Sequence, residues 1–199
     1  MGASPSLLSP PMKLPLQHLS NPELLSLIFG ARGDYSAYRH SLTPLFDGTA
    51  GTLQKKCAAA RELLIRGLHE SMQQRSLLSE PAAVRDYLRI SYVRREHESF
   101  MVLCLDAQNR LISAEELFRG TLTQTAVYPR EIVKCAMQHN AAGVIFAHNH
   151  PSGLATASAA DRQLTETLQK ALTLMDIKVL DHFIVAGQEL VSFAERGWL

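Results

Sequence analysis

Residues 143–161 read GVIFAHNHPSGLATASAAD, and this stretch decides the fold. Its first five residues are wholly apolar, as in a short strand buried on both faces. The apolar run ends in His148-Asn149-His150. Side chains alternate along an extended segment, so His148 and His150 point the same way off its end. Pro151 and Gly153 turn the chain at once. Ser158-Ala-Ala-Asp161 then opens a helix in which Leu164, Leu168 and Leu172 recur at i, i+4 spacing. A strand end and a helix start can therefore meet around one point.

Two imidazoles and one carboxylate make a three-ligand set. That is the usual number for catalytic zinc, which keeps a fourth position open for water. The same residues also have a plainer reading. Ser158 and Asp161 satisfy the capping box S-x-x-[DE], which stabilises a helix start with no metal. On spacing alone both readings stand. Asp161 serves both only if its carboxylate turns toward the histidines.

The flanking sequence supplies the rest of an α/β domain. SFMVLCLDAQNRLISAEELFRG, from Ser99, reads as strand, turn and strand, with Asp106 to Asn109 as the turn. YPREIVKCAMQHNA is a helix with Pro129 in its first turn, and KVLDHFIVAGQELVSF is a closing hairpin. A Ser79 cap and Pro81 predict a helix over 80–92. Earlier, Asn21 as cap and Pro22 at the first helical position open a helix with Leu24, Leu25, Leu27 and Ile28 as its apolar face. TLQKKCAAARELLIRGLHESM is a further helix with Leu53, Cys57, Leu64 and Leu68 on one stripe. The reading is a disordered lead over 1–20, a small helical region over 21–77 and an α/β domain over 78–199.

Bulk properties narrow the function classes. The 199 residues are 46% hydrophobic and 20% charged, a globular composition. The net charge of +1 gives no whole-chain reason to expect nucleic acid or a membrane surface. Three cysteines with no CxxC pair argue against a disulfide framework and fit a reducing cytoplasm. No apolar run approaches the roughly 18 residues of a membrane span.

His148-x-His150, then Ser158-x-x-Asp161 after an intervening seven residues, resembles the JAMM/MPN metalloprotease signature. FMVLCLDAQNRLI, LFRGTL, PREIVKCA, AHNHPSG, VLDHFIV and VSFAERGWL, in that order, resemble segments of the bacterial RadC proteins. The resemblance covers roughly 78–199 and implies a JAMM/MPN (cytidine-deaminase-like) fold, a mixed β-sheet flanked by helices. It implies Zn²⁺ held by His148, His150 and Asp161, with Glu98 as general base and Glu96 as the fallback. Ser158 would donate to the oxyanion, and Asp181 and His182 are candidates to support the metal-holding residues from behind. Glu115 and Glu116, on the next strand, match the base position less well.

The reaction class so implied is hydrolysis of a peptide or isopeptide amide in an unknown peptide or protein substrate. The alternative reading is a DNA-associated repair or recombination accessory protein with a structural or vestigial metal site. Members of the family usually carry a helix-hairpin-helix ahead of the domain. Here Gly48 and Gly51 stand in a degenerate version of it, with Lys55, Lys56, Arg61 and Arg66 as candidate phosphate contacts. Tyr128 stands where the family commonly has His. Substrate identity and oligomeric state are not written in the sequence.

Overall fold

A hairpin turn explains why the strands Ser99–Leu105 (β1) and Leu111–Arg119 (β2) lie side by side. Asp106 Oδ1 accepts from the amides of Gln108 at 2.8 Å and Arg110 at 2.9 Å, and Asn109 takes the left-handed conformation at φ 59°. The computed structural model describes residues 16–46, 51–93, 95–120 and 127–199. They form two compact units, 1–58 and 59–199.

In the first unit, α1 (Asn21–Phe29), two 3₁₀ turns and the start of α2 (Thr52–Gln74) enclose Leu25, Leu45 and Cys57. The cap of α1 is Ser20, not Asn21, because Glu23 reaches back to the Ser20 amide at 2.7 Å. The apolar face is also narrower than its sequence suggested. Leu25 is buried, whereas Leu27 and Ile28 are exposed. Most of the expected lead, 1–15, lies outside the described residues, as does Gly48.

The second unit is a five-stranded sheet in the order β2-β1-β3-β4-β5. The strands are β1 (Ser99–Leu105), β2 (Leu111–Arg119), β3 (Gly143–Asn149), β4 (Lys178–Ala186) and β5 (Glu189–Ser192). Only β3 and β4 pair in parallel, and the other neighbours are antiparallel. Every residue of β1 and β3 is buried, because helices cover both faces of the central strands. Met101, Leu103, Leu105, Ile145 and Ala147 face α3 (Pro81–Tyr92) and the later turns of α2. Phe100, Val102, Cys104, Val144 and Phe146 face α4 (Pro129–Gln138) and α5 (Ala159–Thr173). The mixed α/β sheet flanked by helices is thus the architecture the sequence implied.

Three local expectations are corrected. The stripe of α2 in this unit is Ile65, Leu68 and Met72, while Leu64 is exposed. These residues pack on the sheet core, so the compact unit reaches back to 59, ahead of the 78–199 domain read from the sequence. Helix α3 is capped at Glu80, not Ser79, whose hydroxyl donates to the Ser76 carbonyl at 2.7 Å. Arg61 is turned inward as well. Its guanidinium donates to the carbonyls of Ile90 and Ser91 in the last turn of α3. Arg66 pairs with Glu62, and the Lys56 ammonium lies 5.8 Å from the Phe29 ring centre. Of the four proposed phosphate contacts, Arg61 is therefore spent on the fold. Among the described residues, no helix is long and apolar enough to cross a membrane.

Candidate metal centre

The centre forms at the carboxyl end of β3, where α5 crosses over to the parallel strand β4. In open α/β sheets this is the place where strand ends and helix starts leave room for a ligand. Strand β1 runs antiparallel to β3, with Phe100 opposite His148. The chain just before β1 therefore lies level with His150. That register brings Glu98 to the two histidines: Glu98, His148 and His150 each offer a ligand-type atom within 4.8 Å of the others.

His148 Nε2 and His150 Nε2 are 3.0 Å apart. Asp161 Oδ1 is 3.3 Å from His148 Nε2, and Oδ2 is 3.7 Å from His150 Nε2. Ligands about 2.0–2.1 Å from a tetrahedral zinc stand roughly 3.3 Å from one another, so the spacing of the three groups fits such an ion.

The hydrogen-bond network assigns the tautomers. Thr165 Oγ donates to the Asp161 carbonyl at 2.6 Å, one helical turn back. Its oxygen is then the acceptor for His182 Nδ1 at 2.7 Å. His182 is fully buried, and burial, reinforced by the adjacent His148, pushes its pKa well below the ordinary histidine value. The neutral ring with a proton on Nδ1 must accept at Nε2. His148 Nδ1, 2.8 Å away, is therefore the donor. His150 Nδ1 likewise donates to the Leu154 carbonyl at 2.7 Å. With Nδ1 of each ring used on a protein partner, both histidines turn Nε2 toward each other and toward the Asp161 carboxylate. Two imidazole nitrogens facing one another beside a carboxylate are a donor set that suits a cation.

The two oxygens of the Asp161 carboxylate face different partners. Oδ2 accepts from the Ser158 amide and hydroxyl, each at 2.7 Å, which completes the capping box. Oδ1 stays toward His148. Burial works to raise the Asp161 pKa, but His148 and the Ser158 donors prevail and hold it well below the usual carboxylate range. The start of α5 also favours negative charge there.

The other candidate residues divide clearly. Glu96 sits in an exposed bend before β1, not on a strand face with Glu98, so the fallback position is unsupported. Glu115 and Glu116 lie on β2, where Glu116 pairs with Arg95 and Glu115 lies 3.4 Å from His139. Asp181 and His182, neighbours on β4, face opposite ways. His182 supports His148, whereas Asp181 accepts from Ser192 Oγ and the amides of His182 and Ala194, fastening the end of the chain. Tyr128 is half-exposed at the start of α4, with the Arg130 guanidinium 5.4 Å from its ring centre.

Two participants went unread in the sequence. Thr165 is a 2%-exposed polar residue among the buried leucines of α5, a pattern that flags a hydrogen-bonded partner. Asn149 stands between the two histidines. It is 4% exposed and bonds the chain on either side of Glu98.

Comparison with known proteins gives the family of the domain. The family model for the RadC-like JAB domain matches residues 78–198. A UPF0758 protein of Chromobacterium violaceum is 52% identical over 180 residues, covering 89% of this chain and 80% of its own length. One from Dechloromonas aromatica is 49% identical over 203 residues, covering 91% of this chain and 90% of its own length. With its sheet, crossover helix and domain match in agreement, the chain belongs to the RadC-like JAB domain family.

Proposed function

We propose that the protein is a zinc-dependent hydrolase of peptide or isopeptide amide bonds. The observation that carries this reading is the convergence of Glu98 on the His148–His150 pair, beside Asp161. His148, His150 and Asp161 would hold the ion, a donor set of two imidazoles and one carboxylate that suits zinc. Bound there, zinc supplies Lewis acidity and makes a water molecule acidic near neutral pH.

The chain's own groups do the rest. Glu98 lies beside the ligands on the neighbouring chain segment, placed to accept a proton from the attacking water on its carboxylate. The same carboxyl then delivers that proton to the leaving nitrogen, since an amine leaves far more readily than an amide anion. Ser158 begins in a different state. Its hydroxyl proton points at Asp161 Oδ2, so it serves an oxyanion on the substrate only by swinging away from that bond. Until then it fixes the orientation of Asp161.

The test is chelation. Zinc-loaded protein is incubated with mixed peptide and isopeptide substrates, before and after exhaustive removal of the metal. Cleavage that stops on chelation and returns with zinc is the expected result. Cleavage that continues without metal contradicts the reading.

A further inference from the structure

Glu98 has no strand of its own to fix it, since β1 begins one residue later. The β1–β3 pairing ends at Phe100 and His148. Past that point a side chain takes the place of the sheet. Asn149 Oδ1 accepts from the Ser99 amide at 2.8 Å and from the Ser99 hydroxyl at 3.3 Å. Asn149 Nδ2 donates to the His97 carbonyl at 3.0 Å. One amide group thus binds the residue before Glu98 and the residue after it. The N–H and C=O of one residue on a parallel neighbouring strand would bond the same two groups. On the opposite edge the Glu98 carbonyl accepts from the Gly120 amide at 2.8 Å.

We infer that Asn149 is a positioning residue for Glu98. Side chains alternate along β3, so the residue between the two histidines is directed away from the cation site. It is buried, and both its polar atoms are used on the 97–99 segment. The three letters HNH therefore carry two tasks: the histidines present nitrogens to the ion, and the asparagine holds the carboxylate's backbone level with them. An asparagine suits this role because it offers a donor and an acceptor from one planar group. Aspartate lacks the donor for the His97 carbonyl, and leucine lacks both. The inference rests on the metal reading for its purpose, but the clamp itself is a property of the chain.

The experiment compares wild type, Asn149→Leu and Asn149→Asp, each with and without Glu98→Gln. Metal-free protein is first examined by NMR hydrogen exchange. The Ser99 amide should exchange about tenfold faster or more in Asn149→Leu than in wild type, with the β4 amides unchanged. Cobalt(II) is then the probe for the site. Cobalt affinity should stay within about threefold of wild type, because the three ligands are untouched. In wild type, Glu98→Gln should alter the visible cobalt absorption, since Glu98 lies beside the open coordination position. In the Asn149 variants the same change should have little further effect.

An equal spectral change in both backgrounds overturns the inference, as does unchanged exchange at Ser99. A collapse of cobalt affinity in Asn149→Asp, with the protein still folded, overturns it too, because Asn149 would then support the ligands. If Asn149→Leu does not fold, Asn149→Asp decides alone. If wild type takes up no cobalt, the metal reading fails, and the exchange arm still decides whether Asn149 holds the Glu98 segment.

Discussion

Glu98→Gln should leave zinc binding within about threefold of wild type and lower amide hydrolysis by roughly 10²- to 10⁴-fold. Glutamine keeps the shape of glutamate and can hydrogen-bond a water, but it cannot accept the water's proton at neutral pH. The change therefore removes proton transfer and little else. Measured zinc affinity separates this role from the competing one. Structural zinc sites commonly take four protein ligands. If Glu98 were the fourth, its replacement would weaken zinc binding sharply, and hydrolysis would fall for that reason. Loss of activity with zinc retained supports the base. Loss of zinc moves the site toward the structural reading.

The second large effect is at His182. Replacing it with leucine should weaken zinc binding about 10- to 100-fold, the usual consequence of removing the partner that orients a ligating histidine. The cause is traceable. His182 Nε2 accepts the Nδ1 proton of His148, which leaves His148 Nε2 free to face the ion. Leucine takes that acceptor away inside a fully buried pocket. The stranded His148 N–H should also cost the metal-free protein about 1–3 kcal/mol of stability. A competition titration against a coloured chelator reads the first effect, and thermal unfolding of the metal-free protein reads the second. Unchanged zinc affinity in a folded His182→Leu protein would mean that the Thr165–His182–His148 chain serves packing alone.

Much of the fold was legible because its centre obeys simple rules. SFMVLCL and GVIFA are apolar runs too short for helices, and both became central strands with every residue buried. The i, i+4 leucines of α5 set the crossover, with Leu168 and Leu172 fully buried. The outer helices were read less well. Several apolar residues in a row allow more than one stripe. Neighbours on other elements decide which one is used, so Ile65 is chosen over Leu64 and Leu25 over Leu27 and Ile28.

The site shows the same division. His148 and His150 could be paired from strand alternation alone, and Ser158 and Asp161 from their spacing at a helix start. Glu98 could not be found that way. It lies in the charged stretch before β1, and only the antiparallel register of β1 and β3 brings it to the histidines. Asn149 and Thr165 were harder still, since their partners lie on other segments of the chain. A polar residue on an apolar face was the available signal for Thr165. Asn149 had none, because its significance depends on where β1 begins.

The most direct measurement of the central claim is metal content. Purified wild type and the His148→Ala/His150→Ala double variant would be compared by elemental mass spectrometry after equilibration with zinc. The account predicts close to one zinc per wild-type chain and none retained by the folded double variant. A wild-type protein that holds no zinc after equilibration would contradict it, and would reduce GVIFAHNHPSGLATASAAD to a strand, a turn and a capped helix.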